Sequence, residues 1–256
     1  MTQRILQKWH GAGNDFVVEV STEPTESFWT ADRVAAVCDR HLGVGADGLL
    51  VATLSGGTIT MTLMNADGSR AEMSGNGIRC LVAAVRRATQ DHREVIDVST
   101  DAGVREVTLR LDGDRGYGTV SMGTVTIEAP IFGSEGVARV GNPHVVVMDR
   151  DKWSDRQREA VAADLAMQVG GANVEFATVI SSERVRIKVL ERGVGWTRAC
   201  GTGSVATAAV LHAKGVVGEH VAVENPGGEL TVQLNGREAV LGGPVAFVAD
   251  LAWAVA

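Results

Sequence analysis

Two short segments place a nucleophilic side chain directly before a glycine pair. One is Ser74-Gly75-Asn76-Gly77, which leads into the largely apolar residues 78–84; the other is Cys200-Gly201-Thr202-Gly203, which leads into residues 204–210. A helix beginning at either glycine presents unpaired backbone N–H groups and the positive end of its dipole. Glycine lets an anion approach that backbone closely, so each segment reads as part of a carboxylate or phosphate site. The residue before the glycines takes the N-cap position. A thiol there, Cys200, is expected to ionise more readily than an ordinary cysteine near about 8.5 and so to serve as a base. Neither segment is a P-loop, because no Gly-Lys-Ser/Thr follows, and neither matches the Gly-x-Gly-x-x-Gly dinucleotide fingerprint. Cys80, inside the first of these helices, and Cys38, in an earlier one, read as core.

These segments belong to a longer internal match. Gly13-Asn14-Asp15-Phe16 corresponds to Gly141-Asn142-Pro143-His144, Gly45-Ala46-Asp47 to Gly171-Ala172-Asn173, and the run ending at Asn65 to the run ending at Glu191, all in the same order and at nearly constant spacing. Four ordered matches imply a duplication. In each half a strand is expected to end at Gly-Asn. A helix then follows over residues 30–40 or 154–169, with Ser154 or Asp155 as a cap. Val-, Thr- and Ile-rich runs predict strands over 95–99, 104–111 and 119–127, and over 220–224 and 230–234 in the second half. The expected fold is α+β: two pseudo-symmetric lobes from an internal duplication, each a mostly antiparallel sheet around a central helix. The N-terminal lobe is placed at residues 1–117, with a strand at 246–256 returning to it, and the C-terminal lobe at 118–245. Two symmetry-related helix starts would then serve one small anionic ligand.

Bulk properties exclude several classes. The chain has 256 residues and a formal net charge of −7, which disfavours nucleic acid as a partner. Three cysteines are too few and odd in number for a disulfide framework and suit a reducing cytoplasm. No signal-like N-terminal segment and no apolar run of about 18 residues is present, so no membrane association is expected.

Taken together, several motifs resemble diaminopimelate epimerase, a cofactor-independent family of lysine and peptidoglycan-precursor synthesis. They are His10-Gly11-Ala12-Gly13-Asn14-Asp15-Phe16, Gly43-Val44-Gly45-Ala46-Asp47-Gly48, Met64-Asn65-Ala66-Asp67-Gly68-Ser69, Gly75-Asn76-Gly77-Ile78-Arg79-Cys80, Gly141-Asn142-Pro143-His144, Asn173-Val174-Glu175-Phe176, Glu191-Arg192-Gly193 and Ala199-Cys200-Gly201-Thr202-Gly203. The resemblance covers nearly the whole chain. It implies epimerisation of L,L-diaminopimelate to the meso form by two cysteines on opposite faces of the α-carbon, with no pyridoxal phosphate and no metal. By match, Gly75, Asn76, Gly201 and Thr202 would hold the α-carboxylate. Asn14, Asn65, Asn142, Asn173, Glu191 and Arg192 would bind the α-amino group and the distal amino-acid end, with His144 and Glu191 assisting the cysteines. Amides supply donors and acceptors in one side chain, and Arg192 can grip a carboxylate in bidentate fashion. The resemblance also implies homodimers.

One departure matters most. The family's first catalytic cysteine falls on Ser74, whose hydroxyl is a far weaker acid than a thiol. Three accounts stand: an engineered Cys→Ser change, a natural branch in which serine works with help from water or His144, and related chemistry such as that of proline racemases or PhzF-like isomerases. A catalytically impaired binding form is the non-enzymatic alternative. Gly48, where some members carry glutamine, and Trp196, in a turn that often carries an acidic residue, bear on fine specificity.

Overall fold

The computed structural model describes residues 3–25 and 27–254. Residues 255 and 256, the end of the expected returning strand, lie outside the described residues, as do 1, 2 and 26. The chain divides into two compact units, Met1–Val120 with Gly243–Ala256, and Ser121–Gly242.

In the first unit, β1 (Gln3–Gly11) and β2 (Asn14–Ser21) form a hairpin. α1 (Ala31–Cys38) carries the chain over to β3 (Gly48–Ser55), which pairs parallel with β2. β3 then pairs antiparallel with β4 (Thr58–Asn65). After the two-residue β5 (Arg70–Ala71), α2 (Gly75–Thr89) crosses to β6 (Val95–Thr100), which pairs parallel with β4. β7 (Gly103–Asp112) and β8 (Arg115–Thr124) continue antiparallel. The last strand, β17 (Glu238–Ala254), pairs with β1 from Ala246 to Ala254.

The second unit repeats this order. β9 (Thr126–Glu128) pairs with β10 (Gly136–Val140), which forms a hairpin with β11 (Asn142–Met148). α3 (Asp155–Gln168) crosses to β12 (Asn173–Ser181), parallel to β11. β13 (Arg184–Glu191) is antiparallel to β12, and β14 (Gly195–Thr197) is a short addition to it. α4 (Gly201–Ala213) crosses to β15 (His220–Asn225), parallel to β13. β16 (Gly228–Asn235) and the start of β17 complete the unit antiparallel. Each unit is thus mostly antiparallel with two parallel steps, and a helix makes each parallel crossover, as such connections require.

Side chains of a strand alternate between faces. In the first unit Val17, Leu49 and Val51 pack with Trp29, Val34 and Val37 against α1. In the second, Val145, Val147, Val174 and Phe176 pack with Ala162 and Leu165 against α3. The alternate residues face the second helix of each unit, so α2 and α4 are buried through most of their length. Their small, apolar residues permit this.

Three expectations need correction. Gly-Asn does not end a strand: Gly13 and Gly141 turn the corner of a hairpin at φ 82° and 81°, and Asn14 and Asn142 open the next strand. The first helix is shorter than residues 30–40, because it ends at Cys38 and Asp39 takes an extended conformation at its C-cap. The strand expected over 119–127 breaks at Val125, whose N–H leaves the ladder for the Arg237 carbonyl. Ser154, rather than Asp155, caps α3, in a reciprocal capping box with Gln157. Ser154→Ala should therefore lower stability by about 1 kcal/mol. Chemical denaturation followed by circular dichroism measures this.

Candidate active site

The duplicated residues Ser74 and Cys200 are N-caps of equivalent helices with nearly the same backbone conformation: φ −134°, ψ 122° for Ser74 and φ −123°, ψ 113° for Cys200. Ser74 Oγ accepts from the Gly77 N–H at 3.0 Å, and Cys200 Sγ from the Gly203 N–H at 3.3 Å. In each case the side chain caps the third residue of the helix. The N–H groups of Gly75 and Asn76, and those of Gly201 and Thr202, are left without an intrahelical partner, as an anion site requires.

The surroundings of the two caps differ sharply. In the second unit, Cys200 is buried and its Sγ lies 3.5 Å from Thr202 Oγ1. Its backbone N–H donates to Asn225 Oδ1 at 3.4 Å. Glu191, at the end of β13, accepts from Thr197 Oγ1 at 2.6 Å and is also hydrogen-bonded to the Cys200 thiol. Behind the first turn of α4 lies Glu175: a Cβ added at Gly203 would sit 2.6 Å from Glu175 Oε1. Glu175 and His144 are fully buried neighbours, with His144 Nδ1 donating to Glu175 Oε1 at 2.6 Å. The other ring nitrogen lies 3.0 Å from Asn142 Oδ1. His144 thus has a hydrogen-bond partner at each ring nitrogen, and one of these partners is the Asn142 amide.

The thiol also departs from expectation. Burial pushes Cys200 well above the usual thiol range, and the carboxylates of Glu191 and Glu175 push it further in the same direction. The Thr202 hydroxyl and the Gly203 N–H oppose this but do not outweigh it. Burial also raises Glu191. The helix end favours thiolate, as the sequence suggests, but desolvation and two nearby carboxylates dominate. The Cys200 thiol donates to Glu191, whose charge favours its protonated form. A cation placed at Glu191 would offset this and release the thiolate. Glu191→Gln removes one negative neighbour, so the Cys200 titration should move to lower pH. Ultraviolet thiolate absorbance follows it, with Cys200→Ser as the control that gives the signal of the buried Cys38 and Cys80 alone.

Asn173, buried beside His144 across the β11–β12 pairing, accepts from the Arg192 backbone N–H at 3.0 Å. The guanidinium of Arg192 has no carboxylate partner among the described residues, which leaves it available to an anion. Trp196 serves packing rather than the cap: its Nε1 donates to Glu159 of α3 at 2.9 Å and its ring lies against Phe176.

In the first unit, Asn14 Nδ2 donates to Asp47 Oδ2 at 2.7 Å, and Asn76 Nδ2 lies 3.4 Å from Asn14 Oδ1. Asn65 stands apart from this pair, its amide donating to Ser69 Oγ at 3.0 Å. Gly48 pairs with Asn65 across β3 and β4. A side chain at Gly48 would meet the Met64 carbonyl at 2.6 Å, so the local backbone is fitted to glycine. Gly77, whose N–H Ser74 caps, packs close to an aromatic ring: a Cβ added there would lie 3.3 Å from Phe16 Cζ. Phe16 and Leu50 occupy the sheet positions that His144 and Glu175 hold in the second unit, as the parallel registers Val18↔Leu50 and Val146↔Glu175 show. Duplication has thus kept both caps but placed acid–base groups behind only one.

Sequence reasoning missed Glu175, Asp47, Arg79 and Asn225. An acid inside the otherwise apolar stretch Val174-Glu175-Phe176 was the available signal for Glu175. Asp47 lay inside a matched motif but has no acidic counterpart in the second half.

The fold of the chain, with its two duplicated α/β units, is shared by a set of solved structures. They include a hydroxyproline epimerase from Agrobacterium vitis with bound trans-4-OH-L-proline, at TM-score 0.75 and 17% identity over 98% of this chain and 92% of that one. A PhzF-family phenazine biosynthesis protein from Bacillus anthracis matches at TM-score 0.75 and 13% identity over the full length of both chains. At these identities the likeness concerns the fold alone. Sequence is more specific: the family model for diaminopimelate epimerase matches residues 6–128 and 136–248. Proteins named diaminopimelate epimerase from Rhodococcus opacus (strain B4) and Xanthomonas axonopodis pv. citri (strain 306) are 39% and 38% identical over 96% of this chain and 95% of theirs. One from Corynebacterium glutamicum (strain R) is 36% identical over 94% of this chain and 95% of its own. The chain belongs to the diaminopimelate epimerase family, a family of isomerases.

Proposed function

We propose that this protein epimerises L,L-diaminopimelate to meso-diaminopimelate without pyridoxal phosphate, with Cys200 as its one ionisable catalytic thiol. The observation that carries this reading is the pair of matched N-caps at Ser74 and Cys200, within a chain of this family. In this reading both half-sites serve one substrate molecule. The N–H groups of Gly75, Asn76, Gly201 and Thr202 receive the α-carboxylate. The α-ammonium meets Glu191, and Asn14, Asn65, Asn142, Asn173 and Arg192 take up the remaining polar groups, with Arg192 on the distal carboxylate.

Entry of the α-ammonium offsets the Glu191 charge and allows the Cys200 proton to pass to water. The thiolate then takes the α-proton: the C–H bond breaks, an S–H bond forms, and the electron pair passes into the carboxylate-stabilised carbanion. Hydrogen-bond donors preorganised at the helix starts stabilise that charge. Ser74 cannot act as a free base near neutral pH. Its hydroxyl delivers a proton to the other face and recovers one from water. In the reverse direction the same hydroxyl is a poor acceptor, so the two directions of proton removal differ.

The test is incubation with pure L,L-diaminopimelate and chiral separation of the products. Appearance of the meso isomer supports the reading, and its absence despite binding sinks it. The second reading, an impaired binding form, is favoured by the hydroxyl at Ser74 in place of a thiol and by Phe16 and Leu50 at the sheet positions that His144 and Glu175 hold in the second unit, and the same experiment distinguishes it. The cytoplasm and a homodimer complete the proposal. Among the described residues no helix is long and apolar enough to cross a membrane.

A further inference from the structure

Among the described residues Arg79 is the one fully buried arginine, and it lies behind the first turn of α2. Its Nη1 donates to the Gly75 carbonyl at 2.9 Å and its Nη2 to Asn76 Oδ1 at 2.6 Å, while its Nε is buried without a partner. Among the described residues no carboxylate pairs with it. Burial lowers it to about 10, which still leaves it charged at neutral pH. A desolvated charge with no counter-ion is costly, and nothing in the packing of the helix requires it. The equivalent residue after Cys200 is the apolar Val205, buried in the same way. The cation therefore belongs to the first unit alone.

It also stands at the end of a directional relay. A guanidinium only donates and an ionised carboxylate only accepts. Asn76 must turn its Oδ1 to Arg79, and so its Nδ2 to Asn14 Oδ1. Asn14 must then turn its Nδ2 to Asp47. Asp47 is itself held by the Asp15 N–H at 3.1 Å and by Arg40 at 2.7 Å. With a pure donor at one end and a pure acceptor at the other, the two amides between them have a single orientation, although an isolated amide could face either way.

We propose that Arg79 is a positioning residue of this half-site: its buried guanidinium fixes which way the Asn76 and Asn14 amides face and backs the start of α2 with positive charge for a substrate carboxylate. This rests on the reading above that the half-site receives a carboxylate.

Arg79→Gln and Arg79→Lys test it by calorimetric binding of L,L-diaminopimelate, by the KM and kcat of its epimerisation, and by the rise in thermal midpoint on adding inorganic sulfate. In Arg79→Gln, affinity should fall about tenfold or more and KM rise in step, while kcat changes far less. Arg79→Lys should recover part of the affinity, and sulfate protection should shrink in Arg79→Gln. Unchanged affinity, or equal sulfate protection in the folded Arg79→Gln protein, overturns the proposal. Failure of the wild-type protein to bind diaminopimelate counts instead against the functional reading. If Arg79→Gln does not fold, Asp47→Asn decides, because it keeps the cation and frees the far end of the relay: weaker binding supports the proposal and unchanged binding overturns it.

Discussion

Replacing Cys200 with serine should reduce diaminopimelate turnover by roughly a thousandfold or more while leaving the fold intact. The substitution is nearly isosteric, and serine already occupies the equivalent cap at position 74, where its Oγ accepts the Gly77 N–H in the geometry Cys200 uses for Gly203. Helix α4 should therefore still start at Gly201, and substrate binding should survive. What disappears is the only thiol at either cap. Glu191 does not replace it, since it lies against the thiol as the acceptor of its proton. Measuring kcat alongside substrate affinity separates loss of chemistry from loss of binding.

The opposite change should have the opposite sign. Ser74→Cys is expected to raise epimerisation by about a hundredfold or more, the usual scale for a positioned acid or base. The backbone at 74 is already that of a thiol-bearing cap, and α2 needs no adjustment. The new thiol would lack the two carboxylates that raise Cys200, since Leu50 and Asn65 stand where the second unit has Glu175 and Glu191. It should thus titrate below Cys200. The gain should be largest in the direction that requires proton removal at the Ser74 face, so rates from the L,L and meso isomers measured separately give the sharper test.

Much of this was legible in the sequence. The duplication, the four helices and both Gly-x-Gly starts follow from local patterns: small apolar residues after paired glycines, and matched motifs at constant spacing. The branched chemistry of the two faces was not. His144 and Glu175 lie far apart in sequence and meet because β11 and β12 pair in parallel across α3. No local pattern reveals that register. The relay from Arg79 to Asp47 likewise joins α2, β2 and the loop before β3. The direction of the Cys200 titration is hidden from the sequence for a related reason. The helix start that lowers a thiol is visible in sequence, whereas the burial and the two carboxylates that raise it emerge only from the fold. Gly-Asn was misplaced because a hairpin corner and a strand end share the same residues, and only the left-handed Gly13 and Gly141 distinguish them.

The central claim, that one face carries an ionisable thiol and the other only a hydroxyl, is tested most directly by hydrogen exchange in heavy water. L,L- and meso-diaminopimelate are each incubated with the protein, and deuterium at the α-carbon and configuration are followed together by mass spectrometry and chiral separation. The account predicts that deuterium enters one isomer much faster than the other, with exchange outpacing inversion, and that Ser74→Cys brings the two rates together. Equal exchange from both isomers, tied one-to-one to inversion in the unaltered protein, would contradict it.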